Sequence, residues 1–196
     1  MFVQNLAPDF KADALMPDGS FKNISLSEFK GKYVLLFFYP LDFTFVCPSE
    51  IIAFSNRIED FRSRNTEVLG VSIDSKFTHH AWVNTPTNSG GIGKINFPLV
   101  SDITKNISKD YNVLFNQSIA LRATILIDKT GIVRHYSVND LPLGRNADEF
   151  VRLLDALQHT EKHGEVCPAG WTKGETAINP TSNGIRDYLT DNADKL

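Results

Sequence analysis

The chain has 196 residues, 42% of them hydrophobic, with 20 Lys+Arg against 23 Asp+Glu, a net charge of −3 and two cysteines. That length supports one domain with an appendage and a real core, so no disulfide framework is needed. The acidic balance argues against a nucleic-acid or anionic-membrane partner, and Cys47 and Cys167 lie too far apart for a zinc knuckle or a Cys-x-x-Cys dithiol.

Met1–Phe10 has no basic stretch leading an apolar one, and Asp9 and Lys11 interrupt any signal-like run. The longest apolar run, Tyr33–Tyr39, is far shorter than the roughly 20 residues that span a bilayer. The expectation is a cytoplasmic protein whose thiols are kept reduced, where a purely structural disulfide is disfavoured.

In chain order, Tyr33–Tyr39 predicts a strand buried on both faces. A loop over Pro40–Cys47 follows, then a helix with Ile51, Phe54, Ile58 and Phe61 on one face. Glu67–Ile73 reads as a strand, Thr78–Val83 as a short helix, Phe97–Val100 as a strand and Lys105–Tyr111 as a helix. Ala123–Asp128 and Ile132–Val138 flank Lys129-Thr130-Gly131 as a β-hairpin. The last long helix opens at Asn146, with Glu149 three positions on, and carries Phe150, Leu153, Leu154 and Leu157 on its apolar face. Strands alternating with helices and closed by a hairpin indicate an α/β fold with a mixed sheet. After His163 the chain turns to Gly, Pro, Asn, Thr and Asp, so residues 1–163 read as the domain and 164–196 as a C-terminal arm carrying Cys167.

Pro48 suits a first helical turn, where its missing N–H would have no partner. That puts Cys47 at the strand-to-helix turn, facing the unpaired N–H groups of a helix N-terminus, a setting that favours thiolate over thiol. Thr44 stands close enough in sequence to bring a hydroxyl to the sulfur. Six of the 14 phenylalanines fall between positions 37 and 61, and apolar burial disfavours the thiolate. A reactive Cys47 therefore needs a nearby cation, and Arg122 and Arg145 are the candidates by position. On these residues alone, a buried structural cysteine and a catalytic thiol are equally supported.

The segment Phe-Tyr-Pro-Leu-Asp-Phe-Thr-Phe-Val-Cys-Pro-Ser-Glu at 38–50 resembles the active-site signature of the typical 2-Cys peroxiredoxins, with Pro40, Thr44 and Cys47 at its core. Val166-Cys167-Pro168 followed by Gly170-Trp171 is similar to the family's resolving-cysteine segment. Leu121-Arg122, Leu143-Gly144-Arg145 and the stretch Asp74–Trp82 match further family segments in order and spacing. The resemblance implies a thioredoxin-like fold and reduction of hydrogen peroxide and organic hydroperoxides. It makes Cys47 the peroxidatic thiolate, with Thr44 and Arg122 holding the peroxide, Pro40 shielding the pocket, and Glu50 orienting Arg122 and Arg145.

It further implies that Cys167 closes a disulfide with Cys47 across an antiparallel homodimer, that thioredoxin or a flavoprotein disulfide reductase resets it, and that no metal, haem or flavin takes part. Thr78 matches a position between dimers, which suggests a decamer of five dimers. Gly90-Gly91-Ile92-Gly93 is similar to the loop of over-oxidation-sensitive members, whereas the terminal Tyr-Phe pair of those members is Tyr188-Leu189 here. A rival reading is a redox-switched holdase or peroxide-signalling protein using the same disulfide. Gly93-Lys94 lacks the following Ser or Thr of a phosphate loop. His159 and His163, four apart beside Glu161 and Lys162, read as a solvated helix face rather than a metal site.

Overall fold

In the computed structural model, which describes residues 2–195, the chain opens with a hairpin of Lys11–Leu15 (β1) and Phe21–Ser25 (β2). Sequence reasoning leaves this hairpin out. The first three residues of β2 are exposed, and Lys-Ala-Asp-Ala-Leu lacks the β-branched and aromatic residues that signal a strand.

Tyr33–Phe38 (β3) is buried at every position, as its unbroken apolar run predicts. It lies in parallel between Thr66–Ser72 (β4) and, antiparallel on its other side, Arg122–Ile127 (β8). Leu99–Ser101 (β5) pairs in parallel with β4 and antiparallel with β1. Two short strands, Leu114–Phe115 (β6) and Ile119–Ala120 (β7), form a separate ribbon. Val133–Asn139 (β9) completes the predicted hairpin with β8. The seven-stranded order is β2-β1-β5-β4-β3-β8-β9, a mixed sheet of thioredoxin-like type.

Alternation along β3 sends its residues to two layers. Val34, Leu36 and Phe38 join Ile107, Tyr111, Ile125 and Val133 in one core cluster. Phe37 meets Phe54 on the other layer, ring centroids 4.4 Å apart. The helix expected over Ile51 to Phe61 is two helices, Cys47–Asn56 (α1) and Ile58–Arg62 (α2), interrupted at Arg57 (φ −98°, ψ 10°). All four apolar residues are nevertheless buried, so the spacing reports the face and misses the break. Lys76–Asn84 (α3), capped by the Ser75 hydroxyl, and Asn106–Asp110 (α4) lie close to their predicted positions.

The chain divides into two compact units, Met1–Ala147 and Asp148–Leu196. The helix Ala147–His163 (α5) therefore groups with the arm, whereas sequence texture changes only after its last residue. Phe150 and Leu154 of its predicted apolar face are buried, while Leu153 and Leu157 are half-buried. Gly164, at φ +70°, ends α5 in the left-handed conformation. Within the second unit Val166 and Ile178 exchange two backbone hydrogen bonds of 2.9 Å, and Ser182–Asn192 (α6) follows with Thr181 as its cap.

Candidate active site

Tyr39 and Pro40 continue the buried run beyond β3 and deliver the chain into the loop ahead of α1. Cys47 is the first residue of α1 and is fully buried, with Pro48 in the first turn as expected. Thr44 Oγ lies 3.0 Å from Cys47 Sγ and 2.8 Å from the Leu41 carbonyl. One hydroxyl proton serves only one of these acceptors at a time. When it serves Leu41, the hydroxyl oxygen is open to a proton from the sulfur side; when it serves the sulfur, it donates to a sulfur lone pair.

Arg122, the first residue of β8, brings Nη1 to 3.4 Å from Cys47 Sγ and 2.6 Å from Glu50 Oε2, while its Nε donates to the Leu141 carbonyl at 2.6 Å. Glu50, in the first turn of α1, also accepts from the Arg145 backbone N–H at 3.0 Å, from Nε at 2.9 Å and from Nη2 at 3.2 Å. Arg145 Nη1 donates to the Ala123 carbonyl at 2.7 Å and the Thr124 hydroxyl at 3.1 Å, and its guanidinium lies 3.8 Å from the Phe37 ring centre. Burial pulls the Arg145 guanidinium below its ordinary pKa; Glu50 opposes that shift and Arg122 adds to it. Two guanidiniums and one carboxylate, all almost solvent-free, leave one net positive charge beside the sulfur. The cation that the apolar setting demands is thus present, and it is held by hydrogen bonds at both ends.

A second buried polar group escaped sequence reasoning. Asp42, in the same loop, accepts from Tyr39 Oη at 2.9 Å and lies 2.7 Å from His79 Nδ1 on α3. Its backbone N–H donates to Asp74 at 2.9 Å, and the Ser72 hydroxyl donates to the same Asp74 oxygen at 2.7 Å. Burial pushes the Asp42 carboxyl above its ordinary pKa, with His79 opposing, and pushes the Tyr39 hydroxyl well above its own. This network fastens the Cys47 loop to α3 and to the end of β4. The available signal was an Asp within the Pro40–Thr44 stretch, but nothing in sequence links it to His79.

Thr44, Cys47, Glu50, Arg122 and Arg145 thus converge, and Pro40 is buried at the head of their loop. Cys167 is half-buried in the second unit, and both cysteines are free thiols.

Residues 3–136 match the model of the AhpC/TSA family, and residues 156–191 match that of the C-terminal domain of 1-Cys peroxiredoxin. Peroxiredoxin-2 of Macaca fascicularis is 57% identical over 94% of this chain and 93% of that protein. Alkyl hydroperoxide reductase C of Helicobacter pylori strain J99 is 56% identical over the whole of both. The chain belongs to the AhpC/TSA family of peroxiredoxins. The reduced 2-Cys peroxiredoxin of Plasmodium vivax superposes with a TM-score of 0.96 at 56% identity, covering 97% of this chain and 99% of that one. This peroxiredoxin is accordingly a peroxidase with the thioredoxin-like architecture of its relatives. The match to a 1-Cys C-terminal model covers Cys167, so this chain keeps a second thiol inside that segment.

Proposed function

We propose that Cys47 is the thiol that reduces the peroxide, and that Thr44 and Arg122 hold the substrate against it. The observation that carries this reading is the convergence of the Thr44 hydroxyl and the Arg122 guanidinium on one fully buried sulfur. The thiolate attacks the terminal oxygen of a hydroperoxide. The S–O bond forms as the O–O bond breaks, the sulfur is oxidised by two electrons to sulfenic acid, and the leaving oxygen takes a proton to become water or an alcohol. Charge moves from sulfur to the leaving oxygen, and the Arg122 guanidinium, already fixed by Glu50 and the Leu141 carbonyl, needs no rearrangement to stabilise it. A sulfur anion also balances the single net positive charge of the Arg122–Glu50–Arg145 group. Pro40, buried ahead of the loop, shields this face from water.

In this reading Cys167 resolves the sulfenic acid. Its thiolate attacks Cys47 Sγ, the S–S bond forms, and hydroxide leaves and is protonated to water. The cycle runs in a homodimer with Cys167 supplied by the partner subunit, five such dimers form a ring, and thioredoxin or a flavoprotein reductase returns the two electrons in a thiol-reducing compartment such as the cytoplasm. A disulfide requires the two Cα atoms within about 4.4–6.8 Å, so buried Cys47 must leave the head of α1 for this step.

Trapping with a sulfenic-acid reagent after one equivalent of hydrogen peroxide tests the first half: the Cys167→Ser protein is labelled at Cys47. For the second half, mild oxidation gives a dimer-sized band on a non-reducing gel that Cys167→Ser abolishes. A monomer-sized oxidised band holding an internal disulfide contradicts the intersubunit scheme.

A further inference from the structure

Glu161, Lys162 and His163 are exposed as expected, but the His159 side chain is only 23% exposed. Within the second unit its Nε2 lies 2.8 Å from Glu165 Oε2, and its ring centre lies 4.9 Å from that of Trp171. Glu165 precedes Cys167 by two positions and Trp171 follows it by four, so one side chain of α5 touches the Cys167 turn on both flanks. Trp171 is only 2% exposed and is further fixed by Arg152 Nη1 on its carbonyl at 3.1 Å and by its own Nε1 on the Glu175 carbonyl at 3.1 Å. Between these anchors Cys167 Sγ lies against α5, 3.6 Å from the Ala156 carbonyl and 3.8 Å from Thr160 Oγ.

A sulfur hydrogen-bonded to helix backbone is not presented to a second cysteine; the turn must first leave the helix. We propose that His159 is a positioning residue that clasps the Cys167 turn to α5 through Glu165 and Trp171, so that opening this clasp sets how readily Cys167 reacts. The proposal rests on the reading of Cys167 as the resolving thiol and names the contact that restrains it. Around His159, Asp155 pairs with Lys173 at 3.8 Å, and the His163 ring lies tilted against that of His159 with ring centres 4.6 Å apart. Partly exposed polar and ring contacts of this kind are weak, so the clasp is opened by thermal motion and its effect is a modest factor.

The test uses the full-length chain with Cys47→Ser, in which Cys167 is the one remaining thiol. Alkylation of Cys167, expressed as the pH-independent thiolate rate, is compared with the same protein carrying His159→Phe, His159→Ala or Glu165→Gln. His159→Phe keeps the ring on Trp171 but loses the Glu165 contact, and is expected to speed alkylation about two- to fivefold. His159→Ala loses both contacts and is expected to exceed it. The His159→Phe/Glu165→Gln double variant is expected to match His159→Phe alone, because both substitutions remove one interaction. In the chain retaining Cys47, disulfide formation is expected to rise by the same factor while the rate of Cys47 oxidation by peroxide stays fixed. Equal alkylation in the parent, His159→Phe and His159→Ala proteins overturns the clasp, and so does additivity in the double variant. If no variant forms a Cys47–Cys167 disulfide, the resolving role of Cys167 fails, and the alkylation ratios alone then decide the clasp.

Discussion

Glu50 Oε1 receives the backbone N–H of Arg145 at 3.0 Å and its Nε at 2.9 Å, joining residues 95 positions apart in the chain. The carboxylate thereby fixes both the backbone and the guanidinium of Arg145, and its other oxygen holds Arg122 against the sulfur. Its neighbourhood is nearly dry, so its charge cannot be replaced by water.

Glu50→Gln should leave two buried guanidiniums without their counter-charge. We expect a loss of about 3–5 kcal/mol of stability, measured by urea unfolding. The rate of peroxide reduction should fall on the order of 100-fold as Arg122 loses its placement. An unchanged rate with lowered stability would confine Glu50 to a structural part.

Thr44→Val keeps the shape of the side chain and removes its only donor. Loss of a preorganised donor to the reacting centre should lower the peroxide rate about 10²–10³-fold, measured by stopped flow on reduced protein. Thr44→Ser, which keeps the hydroxyl, should retain most of the rate. The stability cost of Thr44→Val should be only about 1 kcal/mol, for the bond to the Leu41 carbonyl.

Asp128 closes the β8–β9 hairpin. Burial tends to raise its pKa, but bonds from the Thr130 hydroxyl and N–H, the Ile132 N–H and the charge of Arg134 outweigh that and hold the carboxyl below its ordinary 3.8. A depressed folded-state pKa contributes stability that is present above the unfolded value and is lost as pH falls through the folded one. Asp128→Ala should therefore cost about 2 kcal/mol at pH 7. The gap from the parent should narrow as the pH drops below 3.8, read by denaturant unfolding at both ends of that range.

How much was legible in the sequence depends on how local each signal is. β3 could be read because all six of its residues are buried, and the start of α1 because Pro48 marks a first turn. The break at Arg57 could not be read, since Ile51, Phe54, Ile58 and Phe61 keep one buried face across it. The Arg122–Glu50–Arg145 group spans 72 and 95 positions; spacing alone offered the arginines only as candidates, and family resemblance supplied their link to Glu50. Asp42 and His79, 37 positions apart, had no such guide, and their pairing is visible only once α3 is laid beside the Cys47 loop. His159 misled in the opposite direction. Its polar neighbours in sequence suggest solvent and are exposed, whereas Glu165 and Trp171 return from beyond the helix end and cover His159 in part.

The most direct test of the account is the second-order rate of hydrogen peroxide consumption by the pre-reduced protein, compared with Cys47→Ser and Cys167→Ser under the same conditions. We expect the parent and Cys167→Ser to consume the first equivalent at the same rate and Cys47→Ser to show none. A Cys47→Ser protein that consumes peroxide at the parent rate would contradict the assignment of the reacting thiol.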